Sequence, residues 1–143
     1  MKPVMKLLLI GLLAFSGNRS GAEVIVGFAS YCAGKKLSFD VRRVDLEAAP
    51  SWKQAREYPP LSPRRAAQAA GTFLRRIQPD YHEWVLSAIT LEPTPLDNKW
   101  IYLVKYRAPV GREGLKGRME FLEVPVLMNG QVADPTITAF PEK

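Results

Sequence analysis

The chain contains one cysteine, Cys32, and one histidine, His82, in 143 residues. An internal disulfide is therefore excluded. Structural zinc takes about four cysteine or histidine ligands, and two candidates in the entire sequence nearly exclude it as well. A cysteine nucleophile would need a base, and Cys32 with His82 is the one pairing on offer; no motif surrounds either. The plainer reading is a buried, unreactive thiol and a histidine that lies on the surface in Asp80-Tyr81-His82-Glu83, or beside Tyr81. Calcium sites lack support, with no EF-hand loop and no Asp-x-Asp run. Glu83, Glu92, Glu120 and Glu123 are dispersed, and nothing selects two of them as a carboxylate pair for glycoside chemistry. The sequence accordingly assigns no catalytic residue, no metal ligand and no cofactor.

The apolar run Leu7 to Phe15 has nine residues, too few to cross a bilayer core of about 30 Å as a helix. Lys2 and Lys6 precede it, Ser16-Gly17-Asn18 breaks it, and small residues follow at Ser20 and Ala22. That is the pattern of a secretory signal peptide. The expectation is cleavage after Ala22, with residues 1–22 as the signal peptide and 23–143 as a single α+β domain. The mature protein is then exported, periplasmic or secreted, with no transmembrane segment after cleavage. Lys2, Lys6 and Arg19 would leave with the signal, so the charge falls from +6 to +3, seventeen basic residues facing fourteen acidic ones. An argument for nucleic acid from the basic whole-chain balance loses half its support. The remaining 121 residues suit one domain with a core that needs no disulfides.

Glu23 to Phe28 is apolar and β-branched, and Lys36 to Val44 alternates, with Leu37, Phe39 and Val41 on one side; both predict strands. Ala48-Ala49-Pro50 and Tyr58-Pro59-Pro60 bracket a polar connection that includes Trp52. Ser62 can cap a helix whose first residue is Pro63, with Leu61 and Ala66 as the staple around the cap. That helix is predicted to reach about Ile77, burying Ala66, Ala70, Phe73 and Ile77 and leaving Arg64, Arg65, Arg75 and Arg76 off the stripe. Strands are predicted over Trp84 to Glu92, Lys99 to Arg107 and Arg118 to Met128, joined as an antiparallel meander. Asn129-Gly130 predicts a type I′ turn returning Gln131-Val132-Ala133 as a short last strand. Pro125 cannot donate to a ladder and implies an edge or a bulge.

The expected architecture is one helix packed on an antiparallel meander sheet of four to five strands. Over about residues 37 to 135, the order of elements, the helix opening LSPRRAAQAAGTFL and the closing VPVLMNGQVADP resemble the cystatin-like arrangement and the small exported PepSY modules. The Gln-x-Val-x-Gly hairpin of cystatins is absent between the meander strands, so inhibition of cysteine proteases is not implied. The PepSY resemblance implies a noncatalytic envelope module that binds or restrains another protein, and no functional residue transfers with it.

Two regions are candidates for binding. The loop Ala108 to Gly117 is glycine-rich and basic, with Arg112 and Lys116 around an apolar Leu115. It joins two strands and opens no helix, so it is no nucleotide fingerprint; a plain hairpin connection is the simpler account. Trp100, Tyr102, Val104 and Tyr106 share one face of the second meander strand. With the arginine pairs at 42/43, 64/65 and 75/76 they raise single-stranded nucleic acid, but core packing explains a period-two aromatic stripe more economically. The opposite face begins with Ile101 and Leu103 and turns to Lys105 and Arg107. One helix cannot cover both faces, so either residues 23–60 or a second subunit, in a homodimer, covers the other. The function expected is that of an exported noncatalytic binding or interaction module whose partner is another envelope protein and no nucleic acid. The alternatives are a small exported hydrolase with a cleft between helix and sheet, or a subunit of an exported assembly.

Overall fold

A computed structural model describes residues 23–32, 34–56, 58–78, 83–109 and 119–139. Residues 1–22, expected to be a signal peptide, His82 and the loop residues Arg112, Leu115 and Lys116 lie outside the described residues. The order of elements is β1 (Val24–Cys32), β2 (Lys35–Arg42), α1 (Arg43–Ala48), α2 (Pro63–Ile77), β3 (Val85–Pro93), β4 (Trp100–Pro109), β5 (Met119–Leu127) and β6 (Pro135–Ala139). The fold is α+β, and every strand pairing is antiparallel.

The long helix α2 forms where its cap and stripe predict. The Ser62 hydroxyl accepts from the Arg65 N–H at 3.3 Å, Pro63 opens the first turn, and Leu61 and Ala66 are both buried. Ala66, Ala70 and Phe73 are buried as predicted, while Ile77, in the last turn, is only half-buried and Leu74 completes the stripe; the four arginines are exposed. Ser62→Ala is expected to cost about 0.5–2 kcal/mol, read as a lower denaturant midpoint with an unchanged slope. An unchanged midpoint would mean that the cap bond contributes nothing.

The strands do not form the expected single sheet. There are two three-stranded sheets, ordered β1-β2-β6 and β3-β4-β5. The break lies between β1 and β5, and the outer edge of β5 explains it. Glu123, Pro125 and Leu127 turn their backbone groups toward that edge, and none of them meets a partner strand's ladder. The Glu123 N–H donates to the Ser30 hydroxyl of β1 at 2.9 Å. Pro125 has no N–H to offer, so β1 cannot continue as a ladder past it. Its carbonyl accepts from Ala133 at 3.2 Å, and the Leu127 N–H donates to Gln131 at 2.8 Å. Pro125 therefore marks an edge, one of the two readings its position allows.

Three further boundaries differ from expectation. The second strand ends at Arg42 and continues as α1, whose Leu46 is fully buried. The turn at Asn129-Gly130 is not type I′, since that needs positive φ at both residues and only Gly130 has it, at 85°. Gly130 donates to the Leu127 carbonyl at 2.8 Å, which makes a three-residue loop closed by a glycine. The return through Val132 is a single bridge to Val126, and the last strand is β6, paired with β2.

One core serves both sheets. Leu37, Phe39 and Val41 of β2 are buried, as predicted. The Phe39 ring meets Phe73 of α2 edge-on, centroids 5.7 Å apart. On β4, the Tyr102 hydroxyl donates to the Leu61 carbonyl at 2.8 Å and the Tyr106 hydroxyl to the Ala67 carbonyl at 3.3 Å. The helix thus lies over the aromatic face of β4 while reaching β2. The opposite face of β4 is covered within the same chain, with Ile101 at 1% exposure and Leu103 at 8%. Lys99, on that face, donates from Nζ to the carbonyls of Glu47 (3.3 Å) and Ala49 (2.6 Å). Asp45 lines one cavity with Leu127, the cross-strand neighbour of Ile101. The C-terminal carbonyls of α1 and the turn after it are thus tied to this end of the sheet, and Ile101 and Leu103 are buried within one chain.

Candidate functional site

Of the residues singled out from sequence for binding, Trp100 and Tyr102 are among the described residues, and both pack into the fold. Tyr102 is 2% exposed, and its hydroxyl is committed to Leu61. Trp100 is half-buried against Trp52, rings edge-on with centroids 5.0 Å apart, and the Trp52 N–H donates to the Asn98 carbonyl at 2.8 Å. These contacts anchor the connection between α1 and α2 to the β3–β4 turn. Arg112, Leu115 and Lys116 lie outside the described residues.

Cys32 is buried and carries no partner thiol. Burial, then the negative charge of Glu120, pushes its thiol up to about 11 from an ordinary value near 9.0. The Gln78 amide, donating to Sγ at 3.5 Å, and the charge of Lys35 pull the other way. A nucleophile needs the reverse, a thiolate at neutral pH. Because the folded state holds this proton more tightly than the unfolded chain, the thiol's stabilising contribution is complete below pH 9 and is lost as the pH rises through about 11. Between those limits the wild-type denaturation midpoint should fall more steeply than that of Cys32→Ala. Parallel pH profiles would show that the thiol is not held protonated by the fold.

Among the described residues, no group of three or more histidines, cysteines, aspartates or glutamates could hold a metal ion. No described helix is long and apolar enough to cross a membrane.

A concavity lies between α2 and the start of β3. It holds about 670 Å³ and is lined by Arg64, Ala67, Gly71, Arg75, Trp84, Leu86 and Tyr106, among others. Arg64, Ala67, Gln68, Gly71 and Arg75 follow one another at helical spacing along one side of α2. Small Ala67 and Gly71 leave the floor open over the Tyr106 ring, whose oxygen stands 3.5 Å from where a side chain at Gly71 would begin. Burial raises the Tyr106 phenol above its ordinary range, and the charge of Arg75 pulls it partly back. Arg75 is steadied by a 3.2 Å hydrogen bond to the Thr72 hydroxyl. Among the described residues, no carboxylate lines the groove.

Beside this groove, β3 is the terminal strand of its sheet, and among the described residues no strand pairs with its outer edge. Trp84 to Leu91 carries no charge. Val85 is 54% and Leu86 45% exposed. Arg64, Arg75, Trp84 and Leu86 were not brought together from sequence. The available signal was α2 itself, which has four arginines and no acid between Pro63 and Ile77, two of them on the side that faces β3. No protein-family model, no curated protein and no solved structure matches this chain.

Proposed function

We propose that this chain is an exported, noncatalytic interaction module of the cell envelope, cystatin-like and PepSY-like in the order of its elements, and that it acts by binding another protein. The observation that carries this reading is the open edge of β3. Edge strands in monomeric proteins are usually kept short or guarded by charge, proline or a covering element. Strand β6 is five residues long and begins with Pro135, and β1 has β5 beside it through the Ser30 contact. Strand β3 is nine residues long; Glu92 and Pro93 stand together at the end farthest from the groove, and near the groove the edge carries only a one-residue register shift at Leu86–Ala88, with no charge or proline. An uncharged edge with exposed valine and leucine next to an arginine-rimmed groove suits a partner and has no use in the fold itself.

Export is supported by Lys2, Lys6 and the nine-residue apolar run. Cleavage after Ala22 would start the mature chain at Glu23. That residue is held in place, its carboxylate 2.7 Å from Arg43 Nε and its carbonyl accepting the Arg43 N–H at 2.8 Å. Mass spectrometry of the exported protein should find Glu23 at the N-terminus, and an intact Met1 would refute export by cleavage.

A photoreactive side chain at exposed Ser87 on β3, with Thr136 on β6 as the control position, tests the binding role in the intact host. A discrete protein adduct from position 87 and none from 136 is expected. Absence of any adduct, together with turnover of ester or peptide substrates by the purified protein, would replace this reading with that of a small hydrolase.

A further inference from the structure

We infer that the outer edge of β3 and the groove beneath α2 form one docking site for an extended, acidic segment of the partner protein, which adds as a strand beside β3 and places carboxylates on Arg64 and Arg75. This rests on the interaction-module reading and specifies its partner's chemistry.

Two features supply two different kinds of recognition. From Ala88 onward, past the register shift at Leu86–Ala88, the edge offers backbone N–H and C=O groups at alternate residues, which an added strand satisfies whatever its sequence. The groove then reads side chains. Alternate residues of the added strand point to the same face as α2, where an apolar side chain meets Trp84 and Leu86 beside the largely buried Tyr106. Its volume, about 670 Å³, falls within the range of sites that enclose sizeable apolar groups. Arg64 and Arg75, both exposed, have no carboxylate partner among the described residues. Guanidinium groups bind carboxylates through paired, charge-assisted hydrogen bonds. The groove thus has an apolar floor and a rim of one sign, and the complement is an apolar residue flanked by acids.

Charge also decides against the nearer occupants. A second copy joined edge to edge by a twofold axis would bring its own Arg64 and Arg75 to the same seam, like charge against like. Residues 1–22 carry Lys2, Lys6 and Arg19 with no acid, so they would be repelled as well. Nucleic acid would satisfy the arginines but could not use the strand edge. The aromatic faces that bases would stack on are also poorly accessible, with Tyr106 7% exposed.

The test uses the purified full-length protein and a synthetic, acetylated nine-residue peptide with glutamate, phenylalanine and glutamate at its third, fifth and seventh positions, so that all three share one face, and threonine elsewhere. Binding is followed by peptide fluorescence anisotropy and by hydrogen exchange of the β3 amides. The expected result is binding that protects β3 amides, weakens as salt rises, and falls about tenfold or more in Arg64→Glu/Arg75→Glu. Methylating the peptide's β3-facing amide nitrogens should abolish binding, while methylating the outward ones should not. A lysine-for-glutamate peptide should not bind. Binding that ignores the arginines or the methylation pattern would overturn the proposal. So would displacement of the peptide by a single-stranded oligonucleotide of equal charge, or a concentration-dependent dimer that the peptide cannot disrupt. The two readings fail separately. If the adduct from position 87 persists unchanged in Arg64→Glu/Arg75→Glu, the chain remains an interaction module and the acidic-strand assignment is wrong.

Discussion

Phe39→Ala is expected to destabilise the whole domain by about 3–5 kcal/mol. Phe39 is fully buried on β2, and its ring packs edge-on against Phe73 of α2. The helix also rests on Tyr102 and Tyr106 of the other sheet through their hydroxyl bonds. Truncating Phe39 therefore opens a cavity at the point where the two sheets share the helix. The loss should appear as one transition shifted to lower denaturant. Tryptophan fluorescence reports the second sheet, because Trp100 lies in β4, Trp52 packs on it and Trp84 borders β3. Far-ultraviolet circular dichroism reports both sheets and the helix. Coincident curves from the two probes are expected. If fluorescence kept its wild-type midpoint while the dichroism moved, the sheets would be separate folding units and the shared core would be refuted.

Local chemistry was legible in the sequence wherever one residue decides a backbone conformation. Ser62 and Pro63 place the start of α2, and the alternation of Leu37, Phe39 and Val41 marks the buried face of β2. The stripe Trp100, Tyr102, Val104 and Tyr106 likewise marks the face that α2 covers. What escaped depended on neighbours remote in the chain. Pro125 signals a lost donor but cannot say which strand would have needed it; only the approach of Ser30, ninety-three positions from Glu123, shows that the sheet ends there. Helix α1 is six residues long, too short for periodicity to declare it, and Val44 within it reads as a continuing strand. Strand β6 begins with proline and runs for five residues. The groove is illegible for the same reason, because it joins a helix face at residues 64–75 to a strand that starts some ten residues later. Arginine pairs on α2 are visible in sequence, but the open edge beside them is a property of sheet order.

Ile101→Asp is expected to abolish stable folding, at a cost above about 4 kcal/mol, because it removes a buried side chain and leaves an unpaired carboxylate in the core. The same substitution would separate subunits if Ile101 lay in a dimer interface, leaving a folded monomer. The structure makes the two outcomes distinguishable, since a single chain already holds Ile101 at 1% exposure. At this end of the strand Lys99 ties the turn after α1 to the sheet through the carbonyls of Glu47 and Ala49. Ile101→Val, which keeps the shape and loses one methyl, should cost only about 0.5–1.5 kcal/mol. Arg107, exposed on the same face of β4, provides the matched control. Along that face the environment passes from core at Ile101 and Leu103 to the half-exposed Lys105–Glu123 pair at 3.3 Å and then to solvent. Arg107→Asp should therefore change stability by no more than about 0.5 kcal/mol. Circular dichroism and sedimentation of the three variants at matched concentration read the gradient directly. A folded Ile101→Asp monomer as stable as Arg107→Asp would place Ile101 at a surface and refute its burial within one chain.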